Sequence, residues 1–209
     1  VESSRAARVL WMTRELGLEV DHRLINFFDG GTRSAEFLAV NPNGRIPAID
    51  DGDIVLFESL AINLYLAKKH GGPLAPSNLV EDALATQWSL WAITELERRL
   101  MAVMANRTVF RLEDRDPIEE QTETTKLQRP LAVIEQHLAT REWLIAPRFT
   151  VADLNVAAVL SMARLADFKL AAYPRTDRWL ERCIERPACQ WQAQRLPSGL
   201  PRPDDWTYR

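Results

Sequence analysis

Three short stretches of this chain carry groups that could do chemistry together. The first is Glu58-Ser59, at the opening of an apolar-periodic run. The first turn of a helix has unpaired N–H groups and a partial positive charge, which suit a bound carboxylate. Ser59 adds a hydroxyl donor and Glu58 can accept from an ammonium group, so the pair could hold an amino-acid headgroup. Equally, both could simply complement their own helix. The second stretch is Arg45-Ile46-Pro47. Proline has no N–H for a sheet ladder, so Pro47 belongs at a strand start, an edge, a bulge or a cis bond. In the cis case, the Ile46 N–H and C=O would face an extended peptide. The third is Ser3-Ser4, just ahead of a helical run. A hydroxyl beside a helix N-terminus can donate to a thiolate, lowering a thiol's pKa from about 8.5. N-capping is the plainer role for both serines.

Other chemistries find no support in the spacing. His22, His70 and His137 are dispersed, with no H-E-x-x-H, so a metal site is not expected. There is no G-x-S-x-G, P-loop or dinucleotide fingerprint. Trp88, Trp91 and Glu95 share one helical face, where the tryptophans are expected to pack rather than bind substrate. Met101 and Met104 could line an apolar pocket, although core filling is the plainer use.

The elements that must position these residues divide by glycine. Seven of the eight glycines fall at or before residue 72, and the eighth is Gly199. More than a hundred residues without glycine read as helix after helix, since turns and bulges use it. The spacing predicts a helix over 5–16 closed by Gly17, a strand over 20–28 and a short helix over 34–40. Next come a hairpin of 47–50 and 54–57 about Asp51-Gly52, then a helix over 58–70. Gly71 to Asn78 has a linker's composition. Beyond it, helical periods run near 81–105, 117–139, 150–168 and 175–195. Thr150 and Asp153 form a capping-box pattern, with Phe149 and Leu154 at the staple positions, before a helix apolar nearly all round. Asp204 to Arg209 is a polar tail.

Composition narrows the class further. The chain has 209 residues, 46% hydrophobic and 26% charged, as in ordinary globular proteins. No apolar run nears the ~20 residues of a membrane span, and the first residues lack a secretory layout. Net charge is −3; residues 1–80 carry eight basic and ten acidic side chains, the remainder 18 and 19. Neither part is basic enough for a nucleic-acid partner. Two cysteines, Cys183 and Cys189, are too few for a disulfide framework, so a reducing, cytoplasmic location is expected.

Taken together, Ser3, Arg45-Ile46-Pro47, Glu58-Ser59 and Phe149-Thr150-Val151-Ala152-Asp153 resemble the cytosolic glutathione transferase family. So do Asn41 to Ala48, Leu56 to Ser59 and Trp88-Ser89-Leu90-Trp91, and the likeness spans nearly the whole chain. It looks most like bacterial theta-like, serine-type members. The resemblance implies an α/β thioredoxin-like N-terminal domain with a cis-proline over residues 1–72, a linker at 73–80, and an all-α C-terminal domain over 81–209. It also implies a homodimer, and glutathione as co-substrate with no metal. Ile46 would pair its backbone with the cysteinyl part of glutathione, and Glu58 and Ser59 would hold the γ-glutamyl end. Arg45, where the family commonly has lysine, would face the glycyl carboxylate, bidentately if geometry allows. Ser3, fourteen positions before Gly17, would activate the thiol, with Ser4 as the fallback. Thr150 and Asp153 match a structural motif of the family.

One departure is that the family opens with a β-strand, whereas only two residues precede Ser3, so the first strand either belongs to a segment ahead of these residues or is absent. A tyrosine or cysteine activator does not fit, because the first tyrosine is Tyr65 and both cysteines lie near the end. The expected activity is attack of the glutathione thiolate on a hydrophobic electrophile held mainly by the helical domain. Ser3-Ser4 followed by Arg8-Val9 also resembles the maleylacetoacetate isomerase members, which typically carry Gln-Ser where this chain has Glu58-Ser59. Glutathione-dependent peroxide reduction and a non-catalytic binding or regulatory role are the remaining alternatives.

Overall fold

The structure is a computed structural model describing residues 4–25 and 30–189. Helix α1 (Ala6–Glu15) buries Ala7, Val9, Trp11 and Met12 and ends where Gly17 takes φ +63°, letting Leu18 N–H return to the Thr13 carbonyl at 2.9 Å. Helix α2 (Ala35–Val40) starts at Ser34, whose hydroxyl accepts from Phe37 N–H. Strands β1 (Ala48–Asp50) and β2 (Val55–Phe57) form an antiparallel pair around a turn in which Gly52 takes φ +75°. Helix α3 (Ser59–His70) follows directly and packs along α1.

The strand expected over 20–28 is a correction. Residues 20–25 are irregular, with Val20 and Leu24 exposed, and 26–28 lie outside the described residues. Alternating apolar residues make a strand only beside a partner that takes their N–H and C=O groups. Among the described residues the sheet is β1 paired with β2, and residues 20–25 do not join it.

The second half is helical. Helix α4 (Leu79–Trp91), a wide π-helical stretch (Ala92–Glu97), α5 (Arg98–Met104) and a second π-helical stretch (Ala105–Val109) follow one another without a break, so this helix runs past the expected end at 105. Helix α6 (Pro117–His137) returns alongside α5. The periodic run over 150–168 divides into α7 (Val151–Leu160) and α8 (Met162–Leu165), with the Ser161 hydroxyl turned back to the Ala158 carbonyl. All ten residues of α7 are buried, as its all-round apolar sequence requires. Helix α9 (Pro174–Ile184) covers the start of the run over 175–195; residues from 190 on, including the 204–209 tail, lie outside the described residues.

The fold is that of an α/β thioredoxin-like unit joined to an all-α unit. The 71–78 segment between them is docked rather than loose. Leu74 is buried and its carbonyl accepts from Val151 N–H, while Arg148 donates to the Pro73 and Ala75 carbonyls and pairs with Glu81. One apolar core runs through both units, from Trp11 and Ile62 to Leu96, Leu131 and Trp179. No helix among the described residues is long and apolar enough to cross a membrane.

Candidate functional site

The site starts from the register of the hairpin. Ala48 pairs with Phe57, so one step outward brings Pro47 level with Glu58 at the end where α3 begins. Eleven residues of chain thus fold back and put the two sequence-predicted stretches side by side. The Ile46–Pro47 peptide is cis. Its approach is fixed from inside: buried Asn41 donates to the Arg45 carbonyl at 2.5 Å and accepts from Asn43. Gly44 takes φ +59°, and a Cβ there would sit 2.9 Å from the Thr32 carbonyl, so only glycine fits between Asn43 and Arg45. The Arg45 side chain is exposed.

Glu58 sits at φ 71°, in the region that favours glycine. A non-glycine residue held there costs about 1–3 kcal/mol and is characteristic of functional sites. Its side chain makes no capping bond to α3, so the reading of Glu58 as a simple partner of its own helix does not hold. At the amide end of α3, Glu58 is exposed and Ser59 beside it is buried to 3% exposure. Arg8 Nη1 donates to Ser59 Oγ at 3.4 Å, which leaves the serine proton to donate elsewhere.

Arg8 also fixes how α1 and α3 run. Its carbonyl, which points toward the end of α1, accepts from Asn63, whereas its side chain, leaning back toward the start, reaches Ser59 one turn earlier. The two helices are therefore parallel, and their positive N-terminal ends open on the same side. Ser4 stands at the start of α1, where its hydroxyl accepts from Ala6 N–H at 3.2 Å in the plain capping role. Ser3 lies outside the described residues.

From the opposite side, the long helix contributes Glu97. Its Oε1 accepts from Arg8 Nη2 at 2.9 Å and from Arg5 Nε at 2.6 Å. Burial pushes this carboxyl upward, but the Arg8 and Arg5 charges and hydrogen bonds outweigh it and hold it below the ordinary glutamate range. Burial likewise lowers Arg8, against the pull of Glu97. Behind the pair, Asn63 donates to Asn155, which donates to Ser89 and to the Leu60 carbonyl, so a buried polar chain joins α1, α3, α4 and α7. Sequence reading missed Arg8, Glu97, Asn63 and Asn155. A signal existed in each asparagine and in Arg8, which interrupt apolar periods.

The remaining candidates separate from this cluster. Trp88 packs edge-on to Trp91 and His137, with ring centroids 4.9 and 4.7 Å away, as expected of core aromatics. A surface groove of about 460 Å³ lined by Trp88, Trp91, Val133, His137 and Arg141 lies beside them, and none of Arg45, Ile46, Pro47, Glu58 or Ser59 lines it. Met104 is buried core and Met101 packs against it. Among the described residues, no three His, Cys, Asp or Glu side chains converge as metal ligands.

Chemically, the site offers two helix N-termini, a hydroxyl donor and an exposed carboxylate beside an open strand start. That suits an extended, zwitterionic peptide with a carboxylate at the α3 end and an ammonium group near Glu58.

Comparison with known proteins places the chain in a family. The model of the glutathione S-transferase N-terminal domain matches residues 1–68, and that of the C-terminal domain matches residues 99–187. The chain is 33% identical to glutathione S-transferase 3 of Zea mays over 96% of this chain and 93% of that protein. It is 28% identical to glutathione S-transferase GstB of Escherichia coli strain K12, over 89% and 91%. Among solved structures, the theta class glutathione S-transferase of Xanthomonas axonopodis pv. citri, with glutathione bound, superposes with a TM-score of 0.83 at 26% identity over 90% and 91% of the two chains. With both domain models matched, and a relative one-third identical along almost its full length, the chain belongs to the glutathione S-transferase family.

Proposed function

We propose that this protein binds glutathione at the paired ends of α1 and α3 and activates its thiol for attack on a hydrophobic electrophile. The observation that carries this reading is the uncapped amide end of α3, with buried Ser59 beneath it and Glu58 at positive φ, level with Pro47. Ser59 and the α3 amides take the γ-glutamyl carboxylate, and Glu58 takes the ammonium group. The Ile46 backbone pairs with the cysteinyl residue, and Arg45 faces the glycyl carboxylate. Ser3, or Ser4 in its place, donates to the sulfur, so the thiolate fraction rises and the thiol proton passes to solvent. The thiolate then forms a bond to an electrophilic carbon as the leaving group departs. Rate comes from the larger thiolate fraction and from holding both reactants close.

Residues 1–72 form the glutathione-binding domain in this reading, 73–80 the linker, and 81–209 the domain that takes the electrophile. The protein is a theta-like, serine-type member working in the cytoplasm in detoxification. It acts as a homodimer, a reading supported by exposed Val55 and Phe57 on β2 and Leu90 and Ile93 on the long helix. Calorimetric titration with glutathione, together with turnover of an activated aryl halide, tests the reading. Glu58→Ala and Ser59→Ala weaken binding, whereas Ser3→Ala lowers turnover and leaves binding nearly intact. Unchanged turnover in both Ser3→Ala and Ser4→Ala would remove the serine from the mechanism.

A further inference from the structure

Glu97 reaches Arg8 from the last position of a π-helical stretch, Ala92–Glu97, and the apolar pattern explains why the helix is wide there. Ala92, Leu96, Leu100 and Met104 are all buried and repeat every four residues. In an α-helix, three such steps drift by about 120° around the axis. An i→i+5 turn takes in an extra residue and cancels most of that drift, so all four face the core. Without it, Glu97 would be turned by about 100° relative to α4.

One side chain grips this wide turn. Arg99 Nη1 donates to the Thr94 carbonyl at 3.2 Å and to the Glu95 carbonyl at 2.7 Å, and the Thr94 hydroxyl donates back to the Trp91 carbonyl. Each carbonyl has a second lone pair for such a donor. The guanidinium therefore binds the outside of the turn that presents Glu97 on its inner side.

We propose that Arg99 is a positioning residue for the glutathione site: by clamping the wide turn it keeps Glu97 in register with Arg8 and Arg5, and through Arg8 keeps Ser59 oriented. The inference rests on the proposed function and adds a residue that touches neither glutathione nor Glu97 itself.

The test is glutathione calorimetry and steady-state kinetics on wild type, Arg99→Ala, Arg99→Lys, Glu97→Gln and the double variant Arg99→Ala with Glu97→Gln. Arg99→Ala is expected to weaken glutathione binding about fivefold and to raise KM equally, with kcat retained. Lysine at 99 restores part of the loss. In the Glu97→Gln background, which itself binds more weakly, Arg99→Ala adds nothing further. An unchanged Kd in Arg99→Ala overturns the proposal, as does the same fivefold loss in both backgrounds. Should Arg99→Ala fail to fold, Arg99→Gln carries the same comparison. Normal wild-type binding with an indifferent Glu97→Gln overturns this inference alone; absence of wild-type binding overturns the proposed function with it.

Discussion

Two buried carboxylates, Glu97 and Asp153, are held in opposite ways. Glu97 lies between two arginines and is kept charged by them. Asp153, at the start of α7, has no cation bonded to it among the described residues. Its Oδ1 accepts from Leu144 N–H and Trp179 Nε1, and its Oδ2 from the Thr150 N–H and hydroxyl. Burial pushes the Asp153 carboxyl above the ordinary range although all four donors pull it down. The first arrangement is charged and lies beside an open helix end. The second is closed on itself, with no lone pair left for a ligand. A buried acid bonded only by neutral donors ties its own helix cap to the segments around it, whereas a buried acid balancing an arginine holds that arginine ready for something else.

Breaking the two ends of this comparison gives the largest effects. Asp153→Ala leaves four donors unmatched in the core and is expected to cost about 4 kcal/mol or more in urea unfolding. Folded protein that remains keeps its glutathione affinity. Glu97→Ala strands Arg8 in the interior at about 3 kcal/mol, and glutathione binding falls as well. A loss of stability alone would place Glu97 with Asp153 as a purely structural acid. Ser59→Ala is expected to sharpen the distinction: glutathione binds about tenfold more weakly, while unfolding changes by less than about 1 kcal/mol.

The smallest effect is the pH dependence. Arg148, with help from Ser77, lowers the Glu81 carboxyl to about 2, and Glu97 is lowered as well. A depressed carboxyl contributes stability that is present above about pH 4.5 and is lost as pH falls through its folded value. Asp153, raised by burial, has the reverse sign. Urea midpoints measured from pH 5 down to 2 should therefore fall, and Glu81→Gln should flatten part of that slope. Added salt shrinks the Glu81 contribution, since the pair is near the surface.

Local signals carried the fold a long way. Gly17, Asp51-Gly52 and the Thr150–Asp153 capping box each name a turn or helix end by chemistry confined to a few residues, and each occurs where expected. Pro47 and Glu58-Ser59 were also legible, because a missing N–H and a helix start have fixed positional meaning. The strand expected over 20–28 does not form over its described part, 20–25, since strand formation depends on a neighbour rather than on the segment. Arg8 and Glu97 are 89 positions apart, and no local pattern links them. The linker composition of 71–78 gave no hint of Arg148, whose bonds to Pro73 and Ala75 come from 75 and 73 positions further along the chain.

The most direct test is an ultraviolet titration of the glutathione thiolate in the binary complex, from acid to alkaline pH, in wild type and in Ser3→Ala and Ser4→Ala. The proposed mechanism predicts a thiol pKa clearly below that of free glutathione in wild type, returning toward the free value in one of the two variants. Glutathione that binds with the pKa of the free thiol would contradict it.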